Sequence, residues 1–411
     1  MSPFSCVIIG ETKLPLSCAT ALLKAGHRIE GMVSRDPTVH AWAAKNHVPF
    51  AEPAALLNFA SGLSFDYLFS IVNFTVISPA VLGLPRRGAI NYHDALLPRY
   101  AGMYATSWAI MNREIFHGIT WHVMVPELDA GDILKQVEIP IGDRETAGSL
   151  NLQCYFAAAR SFAELIKELA SGTERSATQS LSGRTYFPAR QRPSGGGLIA
   201  WSQDAESIDA YVRALDYGEA ENAFATAKIS ADGEIFIVRP SQLSSDMSTA
   251  PPGTLLSVDG DRLAVSTNTV NLELRVVGGL GQANLRPGVQ FAEGDQTKLA
   301  DEYSLVAKHE RFWVDRLRTL NWISSARPGL QPSELQLATQ EMRDDEHVDV
   351  PLRTNRPFTA QHFSEIVPMR IRKGSDLDHE IQATRARMTF PLDVFHRYPS
   401  LRGQAYLPTE D

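Results

Sequence analysis

An amide, an imidazole and a carboxylate occur in two short segments where their types and spacing would permit chemistry at a carbonyl carbon. Asn91 and His93 lie two residues apart in AINYHDALLPRYAG (89–102), and Asp129 lies in ELDAGD (127–132). Side chains two apart on a strand point to the same face, so the first two can converge on one atom. The amide would stabilise an oxyanion, the imidazole would move protons, and the carboxylate would orient or charge the imidazole.

The chemistry that this combination favours is direct transfer of a small acyl group from a donor to an amine. No Ser or Cys stands in a nucleophile elbow, so a covalent acyl-enzyme is not indicated. Asp132 is a rival carboxylate, three residues after Asp129. His117 and His122 lie five apart on one predicted strand and hence on opposite faces, so we expect both to be structural.

The elements that must position these residues alternate between strand and helix over about the first 140 residues. This pattern predicts an α/β domain with a doubly wound, mostly parallel sheet. Strands are expected at 4–10, 28–34, 65–73, 88–93, 117–124 and 132–141, and helices at 14–25, 37–46 and 146–171. The last two strands are joined by a short segment and predict an antiparallel hairpin. VIIGETKLPLS has one glycine where a dinucleotide fingerprint needs three, so no nicotinamide site is expected.

A Pro/Gly-rich stretch, YFPARQRPSGGGLIAW (186–201), marks a domain boundary. Asp-Gly turns at 232–233 and 259–260 predict a small all-β domain after it. The expected division is a catalytic domain at 1–185, a linker at 186–200, the β-rich domain at 201–290, a linker helix at 291–324 and an extension of unclear fold at 325–411.

Bulk composition is that of a globular protein: 411 residues, 44% hydrophobic, with a net charge of −8 that calls for no polyanionic partner. The three cysteines, Cys6, Cys18 and Cys154, form no metal-binding pattern and suit a reducing compartment. The N-terminus lacks a basic region, and no apolar run approaches the ~18 residues of a membrane span. We therefore expect a soluble cytoplasmic protein without a bound metal.

The paired motifs resemble those of the folate-dependent formyltransferases, whose hallmark is Asn-x-His followed by Leu-Leu-Pro and a downstream Asp-x-Gly turn. This chain has NYHDALLPRYAG and then HGITWHVMVPELDAGDILKQ. The resemblance covers residues 4–200 well and continues more weakly to about 290, where some members carry a small β-barrel-like (OB-like) domain. It implies that Asn91, His93 and Asp129 are the catalytic trio.

The resemblance also implies that 10-formyltetrahydrofolate is the donor, seated against the backbone of LFSIVN (68–73) and the 125–132 turn. The residues expected to bind it are Phe69, Ser70, Ile71, Val72, Leu128 and Asp132. Ala95 stands where the family often has Ser, and Ala101 where it often has Arg. That loop faces the acceptor, so these departures bear on the acceptor rather than on the chemistry.

Within the family, YHDALLPRYAGMYATSWAI and AKHERFWVDRL are most similar to formyltransferase domains at the N-terminus of nonribosomal peptide synthetases. This implies an aminoacyl thioester on a carrier protein as acceptor, with neighbouring synthetase modules as further partners. Amino-sugar nucleotides or another small-molecule amine, initiator methionyl-tRNA, hydrolysis of the donor and a non-catalytic interaction module are the alternatives. Residues 201–300 hold seven Lys/Arg against fourteen Asp/Glu, which disfavours an RNA acceptor.

Overall fold

The computed structural model describes residues 2–279, 285–322, 342–343, 346–354 and 358–402 of the chain. These residues belong to two units, Met1–Ala189 and Arg190–Asp411. The predicted extension at 325–411 is therefore covered only in part, since 325–341, 344–345, 355–357 and 403–411 lie outside the described residues.

A seven-stranded sheet forms the centre of the first unit, in the order β3-β2-β1-β4-β5-β7-β8. Its strands are β1 (Ser5–Ile9), β2 (Arg28–Val33), β3 (Phe50–Ala51), β4 (Tyr67–Ser70), β5 (Gly88–His93), β7 (Phe116–Val123) and β8 (Ile133–Pro140). The first five pair in parallel, whereas β7 pairs antiparallel with both β5 and β8. Every residue of β1 is buried, as expected of a strand covered on both faces. The predicted mostly parallel sheet with a terminal hairpin is confirmed.

Six helices connect or flank these strands in the described part of the first unit: α1 (Leu14–Lys24), α2 (Pro37–Lys45), α3 (Leu56–Ser61), α4 (Pro79–Leu82), α5 (Ala105–Met111) and α6 (Ala147–Ser171). The longest, α6, begins with a capping box in which the Thr146 hydroxyl accepts the Ser149 N–H and the Ser149 hydroxyl accepts the Thr146 N–H. It ends at Gly172, whose φ of +66° is readily adopted by glycine. Within the described residues no helix has both the length and the apolar character that crossing a bilayer requires.

The second unit contains a five-stranded antiparallel sheet, in the order β10-β11-β14-β13-β12. Its strands are β10 (Lys228–Ala231), β11 (Glu234–Leu243), β12 (Leu255–Asp259), β13 (Arg262–Val265) and β14 (Leu272–Gly279), preceded by α7 (Ala205–Ala214). The predicted Asp-Gly turns connect β10 to β11 and β12 to β13. The segment 289–292 bonds to both edges: Ala292 N–H donates to Ser230 O at 2.9 Å, and Leu255 N–H donates to Val289 O at 2.8 Å. The sheet therefore curls.

Two helices, α8 (Gln296–Ala307) and α9 (Glu310–Arg318), stand where a single linker helix was expected at 291–324. That expectation needs correction, because their apolar faces are buried inside the second unit. Residues of α9 form one core cluster with residues from the far end of the chain: Trp313, Val314, Leu317, Val367, Phe390, Val394, Tyr398 and Leu401. The described part of the extension contributes β15 (His347–Arg353), β16 (Ile366–Arg372), α10 (Leu377–Ala386) and α11 (Val394–Arg397) to this unit.

A buried network of four charges ties the end of the chain to β10 and α9. Asp393 lies 2.7 Å from the Lys228 ammonium and 3.0 Å from Arg397 Nε, and all three side chains are essentially without solvent contact. Arg397 also binds Glu310 through two contacts of 2.7 Å. Two cations thus meet two anions, which offsets the desolvation cost of burying them.

Candidate active site

The two central strands of the site, β5 and β7, pair so that four polar side chains share one face. Asn91 is opposite His122, and His93 is opposite Thr120. Residues directly opposite in an antiparallel pair lie on the same face of the sheet and within contact of each other. His122, which we expected to be structural, therefore lies beside Asn91. His117, on the other face of β7, instead bonds through Nε2 to Asp94 O at 2.6 Å.

The Asn91 amide is held by His122. Its Nδ2 lies 3.1 Å from His122 Nε2, while His122 Nδ1 lies 2.9 Å from Val123 O. A carbonyl only accepts, so the neutral ring carries its hydrogen on Nδ1 and presents the Nε2 lone pair to the amide. One N–H of Asn91 is thereby used for positioning. Among the described residues the amide makes no second hydrogen bond through Nδ2, so one N–H stays available.

The His93 imidazole is oriented by backbone. Its Nε2 lies 2.8 Å from Tyr100 O, so this nitrogen donates its hydrogen and Nδ1 carries the lone pair. Nδ1 lies 3.9 Å from Asp129 Oδ2, which is too long for a hydrogen bond. The carboxylate therefore acts on His93 through its charge, and the orientation expected from Asp129 is supplied by the Tyr100 carbonyl.

Asp129 occupies the turn between β7 and β8 with a φ of +54°. Its Oδ2 accepts the Gly102 N–H at 2.9 Å, and its Oδ1 lies 3.6 Å from His122 Nε2. Burial on its own would raise the pKa of this carboxyl. The positive forms of the neighbouring His93 and His122 rings, together with the Gly102 N–H, outweigh that effect and hold the pKa of Asp129 well below its usual range. It is thus a permanent negative charge at neutral pH.

The Asp129 turn is fixed from two sides. Gln179 Nε2 donates to Asp129 O at 3.0 Å and also to Gly131 O, and Arg184 Nη2 donates to Leu128 O at 2.8 Å. At position 131 a Cβ would lie 1.9 Å from the carbonyl oxygen of Val123. Only glycine fits this turn without moving β7.

The loop that carries Tyr100 and Gly102 is held by a segment far away in sequence. β6 (Ala101–Gly102) pairs with β9 (Tyr186–Phe187), and the Tyr100 N–H donates to Thr185 Oγ1 at 2.7 Å. The Phe187 ring stacks between those of Tyr100 and Trp108, with centroid separations of 5.6 and 4.7 Å. Residues 186–187, expected to begin a linker, therefore position the site instead.

The residues expected to bind the donor are placed very differently from one another. Phe69 and Ile71 are completely buried, and the Phe69 ring packs edge-on against Phe162 in the core. Any contact of these two residues with the donor would therefore involve their backbone, which is what the resemblance implies, and their role in donor binding stays a prediction. Ser70 is also buried, in β4, next to Asn91 of β5. Val72, just after β4, is partly exposed, as is Asp132, whereas Leu128 is largely exposed; the last two lie between β7 and β8.

Asp129, and not Asp132, is the carboxylate that contacts the imidazoles. In the described parts of the chain, no group of three or more His, Cys, Asp or Glu side chains is arranged to hold a metal ion. Asn91 and His93 lie on one face of β5, and Asp129 approaches His93 and the His122 ring that bonds to Asn91. An amide donor, a proton-accepting imidazole and an ionised carboxylate in this arrangement can stabilise an oxyanion and move one proton. Direct acyl transfer requires these two functions.

This fold and site define an enzyme of the formyltransferase class. The family model "Formyl transferase" matches residues 51–166, and "Formyl transferase, C-terminal domain" matches residues 195–292. Together they cover just over half of the chain. The chain belongs to the formyltransferase family, and the resemblance drawn from the Asn-x-His and Asp-x-Gly motifs is confirmed.

Similar proteins agree with this assignment. A methionyl-tRNA formyltransferase of Legionella pneumophila (strain Corby) is 28% identical over 288 residues, which cover 65% of this chain and 88% of that protein. A methionyl-tRNA formyltransferase of Geobacillus thermodenitrificans (strain NG80-2) is 26% identical over 323 residues, covering 74% and 98%.

Solved structures show the same fold. The sugar 3N-formyl transferase WlaRD, determined in the presence of dTDP and 5-N-formyl-THF, has a TM-score of 0.53 at 14% identity, covering 67% of this chain and 99% of that one. An N-formyltransferase from Helicobacter canadensis in complex with folinic acid and dTDP-3-aminofucose has a TM-score of 0.54 at 16% identity, covering 67% and 100%.

Proposed function

We propose that this chain transfers a formyl group from 10-formyltetrahydrofolate to a primary amine, by direct transfer through a tetrahedral intermediate. The observation that carries the proposal is the convergence of Asn91, His93 and Asp129, with Asn91 and His93 locked by separate hydrogen bonds to His122 and Tyr100. The family membership supports the transferred group, and the resemblance of the paired motifs to those of folate-dependent formyltransferases supports the donor.

In the proposed reaction, the neutral amine attacks the formyl carbon and a new C–N bond forms. The carbonyl oxygen becomes an oxyanion and accepts the second N–H of Asn91, which His122 has already aimed. His93 Nδ1 takes the proton that the amine loses, and the resulting imidazolium faces the ionised Asp129 at 3.9 Å. His93 then returns the proton to the departing folate nitrogen as the C–N10 bond breaks, so the enzyme ends unchanged.

For the acceptor, we propose an aminoacyl thioester on a carrier protein, with the neighbouring modules of a synthetase as further partners. The support is the likeness of 92–110 to synthetase-associated formyltransferase domains and the charge of 201–300, where Asp and Glu outnumber Lys and Arg by two to one. Methionyl-tRNA is the second candidate, because the sequence relatives carry that name. The sugar-modifying neighbours are 14% and 16% identical and speak for the fold alone.

The proposal is tested by incubating the protein with 10-formyltetrahydrofolate and, in parallel, an aminoacyl carrier protein, methionyl-tRNA and an amino-sugar nucleotide. Tetrahydrofolate release gives the rate, and intact mass shows which acceptor gains one formyl group. Formylated carrier protein is the expected result. Formate without a formylated acceptor would identify a hydrolase. The absence of any tetrahydrofolate release would contradict the proposed activity as a whole.

The Asn91→Ala variant ties the activity to the site. Loss of an oxyanion donor typically lowers kcat by about 10²–10³-fold, and we expect donor binding to be retained. Asn58→Ala is the matched control, because Asn58 is an exposed residue of α3. Similar rates for Asn91→Ala and the control would remove Asn91 from the mechanism.

A further inference from the structure

The second unit contains a cavity of about 240 Å³ whose wall combines apolar and basic side chains. Val277, which is 40% exposed, contributes apolar surface, and Arg239, His396 and Arg402 contribute nitrogen donors. Arg397 also borders the cavity, but its guanidinium is consumed by Glu310 and Asp393. The side chains that could donate hydrogen bonds to a ligand are therefore Arg239, His396 and Arg402.

Arg239 and Arg402 share one carboxylate at this cavity. Arg239 Nη2 lies 3.3 Å from Glu219 Oε1, and Arg402 Nη1 contacts Glu219 Oε2. Arg239 is itself held in place, since Nη2 donates to Gly218 O at 2.6 Å and Nε lies 3.5 Å from Asp216. The Glu219 side chain is 73% exposed. Such exposed pairs contribute about 0–1 kcal/mol, so a competing anion can displace this carboxylate at little cost.

His396 forms another part of the cavity wall. A Cβ at position 278 would lie 2.2 Å from its Cε1, so the ring packs directly on the backbone of Gly278. Among the residues that the structure describes, the imidazole has no hydrogen-bond partner. Burial lowers the pKa of His396, so at neutral pH the ring is uncharged and retains one N–H donor.

We propose that this cavity binds a small phosphate monoester with an apolar body. The phosphate takes the place of the Glu219 carboxylate between Arg239 and Arg402, while His396 donates to a further oxygen. Guanidinium groups match phosphate oxygens in a forked geometry, and two of them can serve one dianion. The apolar body of the ligand then packs on the exposed side chain of Val277. The inference stands independently of the proposed transfer reaction.

The experiment is a calorimetric titration of the full chain with phenyl phosphate and, separately, with inorganic phosphate. We expect saturable binding of phenyl phosphate and at least about fivefold weaker binding of inorganic phosphate, which lacks the apolar body. Arg239→Gln should weaken phenyl phosphate binding about tenfold or more. Glu219→Gln should tighten it several-fold, because the competing carboxylate is removed; a gain in affinity cannot come from misfolding.

Arg311→Gln is the matched control, since Arg311 is an exposed arginine of α9 that pairs only with Asp315 among the described residues. Three results would overturn the proposal. They are no binding of phenyl phosphate, equal binding of the two phosphates, and a Glu219→Gln variant that binds no more tightly than the natural protein. The proposal would also be overturned if Arg311→Gln weakened phenyl phosphate binding as much as Arg239→Gln does. The loss of affinity would then follow from net charge alone.

Discussion

Replacing His122 by phenylalanine tests whether this buried ring positions the catalytic amide. The substitution retains a flat ring of similar size but removes both nitrogens, and with them the bonds to Asn91 and to Val123 O. The amide then loses the contact that directs its second N–H. The variant keeps the three proposed catalytic side chains, and it also removes the 3.6 Å contact between His122 Nε2 and Asp129 Oδ1. The double variant described below therefore separates an effect through Asn91 from one through Asp129.

The magnitude of the His122→Phe effect has a lower and an upper bound. Loss of one hydrogen bond costs about 1 kcal/mol, or roughly fivefold in rate, if the amide still samples its productive orientation. Complete loss of the oxyanion donor costs about 10²–10³-fold. We expect kcat to fall within this interval, with KM for the donor little changed. His122→Gln, which can still present an oxygen acceptor to the amide, should recover part of the rate.

The assay is tetrahydrofolate release at saturating donor, measured for His122→Phe, for Asn91→Ala and for the double variant. If His122 acts through Asn91, adding His122→Phe to Asn91→Ala should lower kcat by less than about threefold, because residues that act as a unit are strongly non-additive. If His122→Phe lowered kcat as much in the Asn91→Ala variant as in the natural protein, His122 would not act through Asn91. His117→Phe is the control, since His117 is equally buried on the other face of the same strand.

The remaining predictions concern the turn, the pH dependence and the second unit. Gly131→Ala should disrupt the catalytic turn and lower kcat at least about tenfold, because its Cβ would lie 1.9 Å from a carbonyl oxygen; Gly183→Ala, with open space around it, should be neutral in the same assay. The pKa of Asp129 is lower folded than unfolded, so its contribution to stability is fully present above the unfolded value near pH 4 and is lost as the pH falls through the folded value. Urea unfolding should therefore show the largest difference between the natural protein and Asp129→Asn at pH 6–7 and a shrinking difference below pH 4; a constant difference would contradict this. Lys228→Met should lower the free energy of unfolding by about 3–5 kcal/mol, because a buried carboxylate loses its partner. Lys298→Met removes an ammonium whose side chain is 56% exposed and should cost less than about 1 kcal/mol; equal losses would contradict the burial argument.

The strands and helices of the first unit could be predicted from the sequence because short, local sequence patterns specify them. Continuous apolar runs such as SCVII specify strands buried on both faces, and Thr146 and Gly172 mark the two ends of α6. The Asn-x-His spacing likewise needs only the twofold period of a strand to bring both side chains to one face. These inferences require no knowledge of what packs against each element.

The groups that align the site could not be predicted in the same way. His122 reaches Asn91 through the register of β5 against β7, and β7 carries an irregularity between Trp121 and His122 in its pairing with β8. The Tyr100 carbonyl reaches His93 only because Thr185, 85 residues further on, fixes the loop. Neither of these two contacts is signalled by a short sequence pattern.

The segment from 325 to 411 shows that a polar composition does not mean that a segment packs apart from its domain. The expectation of an extension with no assignable core rested on its charges and prolines, yet Asp393 and Arg397 are among the most buried residues of the second unit. Their charges satisfy those of Lys228 and Glu310, which come from β10 and α9. A chain that ended before Asp393 would leave these two partners buried and unpaired, at a cost of several kcal/mol each. Complementary charges at distant positions thus make this segment part of the core, and only the three-dimensional pairing reveals it.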